Sequence, residues 1–282
     1  MRVIALVTLF YPDYSNKKNI EELSLQVDRV VLLDNTPNID NTDLFSDIDV
    51  EYIPNSENLG LSAAFNIGIN HVKKIRSDFV VFFDQDSRVS KGLIDQLVHD
   101  FKELSKTFKV GCIGPVYYDE NSNKIVENRD AIFLEDKLFS VKSVITSSLL
   151  TSYQVLEDIG GWNESIFLDY ADWDLCWRMK ERGYILALDT KVTLSHSLGD
   201  SSVSFGGLSF PKYSPVREYY RIRDSLKLFT EEYVPTKYKV KFVYTWLIEP
   251  FIYLALFPQR LLRIKFVLRA FKDAFRKVDG AI

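Results

Sequence analysis

Hydrophobic positions along this chain fall into two alternating rhythms. Short unbroken apolar runs, Val3 to Leu9, Val30 to Leu33, Val50 to Ile53 and Phe79 to Phe83, predict strands covered on both faces, as in the middle of a parallel sheet. Between them the spacing lengthens to that of helices. Ile20, Leu23 and Val27 share one face; a small-residue segment begins at Leu59 to Ala64 and runs to about Lys74; Leu93, Leu97, Phe101 and Leu104 stay in register within Lys91 to Leu104. Strands separated by helices predict a βαβα succession, and hence an α/β fold. Val110 to Pro115 reads as a further strand, after which the regular order breaks. Shorter strands and turns are expected from Val116 to Leu150, with Asn121-Ser122-Asn123 as a hairpin tip. A helix is expected from Asp169 to Arg182, stopped by Gly183, and then a strand over Tyr184 to Leu188. Ser195 to Tyr213, rich in Ser and Gly, reads as a mobile loop able to close over a ligand.

Composition narrows the class. At 282 residues, one large α/β domain with an appendage or two small domains would fit, and an aromatic share of 14% argues for an ordered core. Cys112 and Cys176 lack the paired spacing of a zinc or disulfide framework, so a reducing cytosol is the expected compartment. Met1 to Thr8 carries one basic residue and too short an apolar run for a signal peptide; it reads as a first strand. Charge is uneven. From Lys237 onward ten Lys and Arg face three acids, a net +7, which leaves the first 236 residues at −11. An acidic body with a basic tail implies two surfaces with different partners, and no nucleic acid is expected as one of them.

The tail itself has two readings. Phe242 to Phe257 is mostly apolar, but Glu249-Pro250 divides it and Pro258-Gln259-Arg260 ends it. A spanning helix needs about 20 apolar residues, so none is expected. Leu261, Leu262, Ile264, Phe266, Val267, Leu268, Phe271 and Phe275 then interleave with Arg263, Lys265, Arg269, Lys272 and Arg276 at helical spacing. One reading is a basic amphipathic surface lying on an anionic membrane. The other is a helix pair packed on the rest of the chain or on a second subunit.

Candidate chemistry gathers where the apolar runs end. Phe79 to Phe83 runs into Asp84-Gln85-Asp86, and in open α/β sheets ligands bind beyond the carboxyl ends of strands. Two carboxylates one residue apart suit Mg²⁺ or Mn²⁺ held against a phosphate, and they equally suit a turn. Asp34 likewise follows a strand, where it would accept from a nucleobase imide or close an Asx-turn. His196 follows a strand and opens the Ser/Gly segment, a setting that favours a functional role; His71 and His99 lie in expected helices and read as structural. Asp169, Asp172 and Asp174 fall in a first helical turn, where unpaired N–H groups favour the ionised carboxylate.

Six pieces in order resemble one family. They are Val7-Thr8-Leu9-Phe10-Tyr11-Pro12, Leu33-Asp34-Asn35, Asn58 to Gly68, Phe83-Asp84-Gln85-Asp86-Ser87, Phe167 to Arg178, and His196 to Asp200. Together they cover residues 1 to 225 and resemble the inverting glycosyltransferases of family 2, most closely the bacterial rhamnosyltransferase branch. The resemblance implies a GT-A fold: a Rossmann-like, mainly parallel central sheet with helices on both faces, over residues 1–213. Residues 214–282 would form a C-terminal helical region that associates with membrane or oligomerises. It implies that Thr8, Phe10, Tyr11 and Asp34 cradle the nucleobase, that Asn58, Gly60 and Asn66 contact the nucleotide, and that Asp84, with Gln85 beside it, holds the ribose. Asp86 and His196 would bind a divalent metal. Asp172 matches the catalytic base. An acid usual just before it is Ala171 here, which leaves a second carboxylate contact to the acceptor in question unless Asp169 supplies it.

Trp162 and Trp173 are sugar-subsite candidates, with core packing an equal reading for the nearby Trp177. Arg178 is a candidate for orienting a loop or an acid. Arg217, Tyr220, Arg221 and Arg223 are candidates for diphosphate contacts from the donor or the acceptor. The implied reaction moves L-rhamnose from dTDP-β-L-rhamnose to a polyprenyl-diphosphate-linked glycan, at the inner face of a bacterial plasma membrane. A UDP-hexose or UDP-galactofuranose donor, or a non-catalytic nucleotide-sugar-binding scaffold, are the alternatives. A nucleotidyltransferase would need a glycine- and basic-rich triphosphate loop near the N-terminus, and the sequence has none.

Overall fold

The computed structural model describes residues 1–119, 124–125, 130–196, 202–205 and 208–282, and leaves aside the side chains of residues 119, 124, 125, 196, 202, 204, 205, 208 and 209. The four apolar runs become β1 (Val3–Leu9), β2 (Arg29–Asp34), β3 (Glu51–Pro54) and β4 (Phe79–Asp84), which pair in parallel in the order β3-β2-β1-β4. Their unbroken hydrophobicity has a direct cause. Val3, Ala5, Val7, Phe79, Val81 and Phe83 pack into one core, while Ile4, Leu6, Val80 and Phe82 pack into another on the opposite face. Helices α1 (Tyr14–Ser24) and α3 (Leu93–Ser105) cover the first face; α2 (Leu61–Ile75), α4 (Tyr153–Ile159) and α5 (Ala171–Glu181) cover the second.

Caps explain where the helices depart from their apolar periodicity. α1 starts six residues before Ile20 because Asp13 and Asn16 form a capping box, each side chain accepting from the other's backbone N–H. α5 ends before Gly183, whose φ of +78° suits glycine. α2 sits unusually close to the sheet at Gly68, where a Cβ would meet side-chain atoms of Leu6 and Leu33 at 2.9 Å.

The expected break in order is an inserted strand. β5 (Val110–Asp119) does not pair with β4; β9 (Leu149–Ser152) lies between them, antiparallel to both. β10 (Ile185–His196) then runs parallel to β5, with β8 (Leu138–Ser140) antiparallel beyond it and β7 (Ile132–Glu135) at the edge. β6 (Lys124–Ile125) folds back on β5 through Tyr118 and Ile125, so strands flank the proposed hairpin tip, although Asn121 to Asn123 lie outside the described residues. The segment read as a plain loop from Ser195 to Tyr213 instead contains a hairpin, β11 (Ser202–Phe205) with β12 (Leu208–Pro211). Its Ser content masked a period-two alternation of apolar residues around two glycines, a hairpin signal.

Four helices close the chain: α6 (Pro215–Phe229), α7 (Thr236–Leu247), α8 (Glu249–Leu256) and α9 (Arg260–Phe275). Glu249-Pro250 breaks the apolar run by starting α8, since proline is tolerated in a first turn. No helix among the described residues is long and apolar enough to cross a membrane. α9 packs along α6. Arg263, counted above with the basic outer face, instead points inward: it pairs with Glu218 and donates to the carbonyls of Pro258 (2.9 Å) and Tyr213 (3.2 Å). Tyr219 adds a hydroxyl bond to Asp273 at 2.9 Å.

Candidate active site

β1, β2 and β4 are parallel, so their carboxyl ends share one rim, and the residues that follow them line a cleft of about 640 Å³. Thr8 pairs in register with Asp84 across β1 and β4. Phe10 and Gln85 clamp each other: the Phe10 N–H donates to Gln85 Oε1 at 2.7 Å and Gln85 Nε2 returns a bond to the Phe10 carbonyl at 3.1 Å. This holds the exposed Phe10 ring at the lip of the cleft, with Tyr11 edge-on to it at 4.6 Å. Tyr11 itself stands outside the lining. Asn58 accepts from the Gly60 N–H, and Gly60 at φ +80° turns the chain into α2 beneath Phe167. Asn58, Gly60 and Leu61 all face the cleft.

Asp34 does not. Its carboxylate is 1% exposed and is held by the Thr36 N–H at 2.8 Å, Asn41 Nδ2 at 2.8 Å and the Tyr52 hydroxyl at 2.6 Å, an Asx-turn with two added donors. Its neighbour Asn35 lines the cleft, with Nδ2 bonded to the Gly60 carbonyl at 3.0 Å. Asn66 is likewise occupied: it bonds the Trp162 backbone on both sides, at 2.9 Å each, and Glu164 at 2.8 Å, tying α2 to the following loop.

Asp84 and Asp86 both face the cleft. Asp84 accepts the Ser147 hydroxyl at 2.7 Å, a contact made possible by the chain leading into β9. Among the described residues no three His, Cys, Asp or Glu side chains cluster as a metal cage. His196 ends β10, and its side chain lies outside the described residues. Two cleft-facing carboxylates fit a divalent cation of the kind that takes its remaining ligands from a diphosphate and water.

A second hollow of about 400 Å³ adjoins the first and shares Leu61, Asp84, Leu168 and Arg217 with it. Asp172, in the first turn of α5, lines this hollow. The Trp173 N–H donates to its Oδ1 at 2.8 Å. The helix terminus was expected to hold Asp172 ionised. The balance goes the other way, because enclosure by protein pushes its carboxyl up to about 7, with the charges of Asp84 and Asp169 adding to the shift. Two residues before it, at the cap of α5, Tyr170 adopts φ +74°, a conformation that L residues other than Asn and Asp seldom take.

Tyr213, Arg217, Arg221, Lys241 and Trp173 complete the wall. Arg217 pairs with Asp169 at 3.0 Å and Arg221 with Glu249 at 3.1 Å, and both guanidiniums stack on the Tyr213 ring. Four other candidates sit elsewhere. Tyr220 is buried and stacks on Phe167 at 3.9 Å between ring centres. Trp162 is 2% exposed and packs on Phe65 and Phe82 in the core. Arg178 clasps Asp174 at 2.7 Å and the carbonyls of Ile159 and Gly161. Arg223 is buried against Asp224 at 2.7 Å and bonds the Gly280 carbonyl. Thr146, Tyr213 and Lys241 are lining residues that no motif pointed to, and Asn35, inside the Leu33-Asp34-Asn35 piece, lines the cleft where its neighbour Asp34 was expected to.

Comparison with known proteins extends this picture. Residues 17–155 match the profile of Glycosyl transferase family 2. The chain is 30% identical over 291 residues to "dTDP-rhamnosyl transferase RfbF" of Shigella flexneri, spanning 99% of this chain and 97% of that one. It is 26% identical over 206 residues to a "Pre-mycofactocin glycosyltransferase" of Mycobacterium tuberculosis, spanning 67% of this chain and 42% of the relative. Among solved structures, GalNAc-T7 with UDP, GalNAc and Mn²⁺ superimposes with a TM-score of 0.58 at 11% identity, over 92% of this chain and 58% of that one. S. aureus TarS residues 1–349, in complex with UDP-GlcNAc, give a TM-score of 0.56 at 12% identity over 99% and 82%. At such identities the structures speak to the fold alone, which is GT-A.

Proposed function

The chain belongs to glycosyl transferase family 2 and is a glycosyltransferase, and from that premise we propose that it inverts the anomeric centre of L-rhamnose while moving it from dTDP-β-L-rhamnose to a lipid-linked glycan. One observation carries this reading: Asp172, poised near neutrality, lines a hollow that is continuous with the cleft at the strand ends. The donor nucleotide occupies the cleft, between Thr8, Phe10, Asn35, Asn58 and Gly60, with its ribose at Asp84. The acceptor occupies the second hollow.

The Asp172 carboxylate takes the proton of the acceptor hydroxyl as that oxygen attacks the anomeric carbon. The bond to the diphosphate breaks on the opposite face, and dTDP leaves. A carboxylate with a pKa near 7 suits a general base, because it is deprotonated at working pH yet still basic enough to accept the proton. Asp86, with His196, would hold a divalent cation, Mn²⁺ or Mg²⁺, whose charge stabilises the departing diphosphate. Trp173 offers a face for sugar C–H groups.

The same proposal divides the chain into a catalytic domain, 1–213, and a helical region, 214–282, that shares the acceptor wall. The dTDP-sugar reading rests on the RfbF relative. In this reading the protein rests on the cytoplasmic face of the membrane, supported by apolar side chains that α7 to α9 leave exposed: Leu247, Phe251, Leu261 and Leu268.

Asp172→Asn should bind dTDP-rhamnose as tightly as the wild type in a calorimetric titration and lose at least about 10²-fold in transfer. Retained turnover would move the base elsewhere. A thermal-shift panel of dTDP- and UDP-sugars with Mn²⁺ tests the donor; stabilisation by UDP-sugars alone would overturn the rhamnose assignment.

A further inference from the structure

Three cations surround the second hollow, and they are not equivalent. Arg217 stands against Asp169, and Arg221 against Glu249. Lys241, which comes from α7 and so from the far end of the chain, has no carboxylate within ion-pair distance among the described residues. Its ammonium lies 4.8 Å from the centre of the Trp173 ring. The protein around it lowers its pKa and repulsion from Arg221 lowers it further, against a weaker attraction to Glu249. Lys241 keeps contact with solvent, faces Arg221 across the hollow and has no carboxylate of its own among the described residues, so the space between the two cations suits an anion that enters from outside. A ligand anion there would be held by both at once.

Resting on the assignment of this hollow to the acceptor, we propose that Lys241, backed by Arg221 and seated on Trp173, binds an anionic group of the acceptor beside the attacked hydroxyl. The hollow is small, so the anion belongs to the sugar that is attacked or to its immediate linkage. Two sources share this chemistry: a lipid diphosphate joined directly to that sugar, or a carboxylate on the sugar ring. Trp173 contributes to both, since its face packs on the sugar and its ring holds the ammonium in place. The residue is a specificity determinant in binding, and it takes no part in the proton transfer at Asp172.

The test uses the full chain saturated with dTDP and Mn²⁺, so that no probe enters the donor cleft. Farnesyl diphosphate, farnesol, methyl glucuronide and methyl glucoside are titrated separately. At least one anionic probe should bind about tenfold or more tightly than its neutral counterpart, the range expected for a charge-assisted contact. Farnesyl diphosphate against farnesol identifies a linkage phosphate; methyl glucuronide against methyl glucoside identifies a ring carboxylate. Lys241→Met should erase the difference and Lys241→Arg should keep most of it, while dTDP affinity is unchanged in both variants. Anionic probes that bind no better than neutral ones, or an anion preference that survives Lys241→Met, would overturn the subsite. Failure of dTDP to bind the wild type would instead count against the nucleotide-sugar reading, so the two failures are distinguishable.

Discussion

Asp172 shows how burial and function pull against each other at a single side chain. Because its carboxyl titrates near 7 in the ligand-free protein, the acid limb of the pH profile of kcat/KM should have its midpoint there, with activity present above and lost as pH falls below. Asp169 adds to that shift. Asp169→Asn should therefore move the limb to lower pH, and an unmoved limb would show that Asp169 adds nothing to the shift. The sign for stability is opposite. A carboxyl with a raised folded-state pKa holds its proton more tightly folded than unfolded, so its ionisation weakens the fold as pH rises from about 4 through 7. Asp172→Asn should accordingly raise the thermal midpoint at pH 8 and leave it unchanged at pH 3. Gly60 gives a second local prediction. An alanine Cβ there would lie 2.5 Å from the Phe167 carbonyl oxygen at φ +80°, so Gly60→Ala should cost at least about 1–2 kcal/mol in denaturant titration and raise the KM for donor. Asp34 shows where sequence stops at this scale. An aspartate after a strand is the same string whether it faces a base or closes an Asx-turn, and only Asn41 and Tyr52, seven and eighteen residues away, decide it.

Among the elements, α6 connects chemistry to packing. Its first two turns carry Arg217 and Arg221 into the wall of the second hollow, and the rest of its length packs on α9. The Arg263–Glu218 pair joining the two helices is buried, so removing one partner strands a charge. Arg263→Met should cost about 3–5 kcal/mol in equilibrium unfolding, and adding Glu218→Met should recover most of it. If the single variant cost under about 1 kcal/mol, the pair would be behaving as a surface ion pair. The parallel strands were legible because residues buried on both faces give unbroken apolar runs. β9 was not, since Leu149–Ser152 takes its place between β4 and β5 through partners about 70 and 40 residues distant. Arg263 misled for a related reason: helical spacing shows which residues share a face, and says nothing of which face meets α6.

At the scale of the whole molecule, an acidic body carries a basic, apolar-faced end. Phe251 is 71% exposed, Leu261 85% and Leu268 66%, with Arg260, Lys265 and Lys272 exposed nearby. Vesicles containing anionic lipid should therefore retain the protein in flotation, less so as salt is raised, and Phe251→Ser with Leu268→Ser should release it. Equal recovery on neutral vesicles would remove charge from the account, and no recovery on either would favour a partner subunit on these helices. Composition had made the basic end visible, yet its second task was hidden. Lys241 sits on the same helix as the exposed Val240, Tyr244 and Leu247, so α7 presents one residue to the acceptor pocket and others to whatever covers the outer surface. The wall of the second hollow is thus assembled from residues after position 212 as well as from α5. For protein engineering, if the second hollow takes the acceptor as proposed, Tyr213 to Lys241 becomes a cassette: exchanging acceptor preference between two such enzymes would mean moving that stretch whole, and a chimera spliced inside α6 would receive half a wall from each parent.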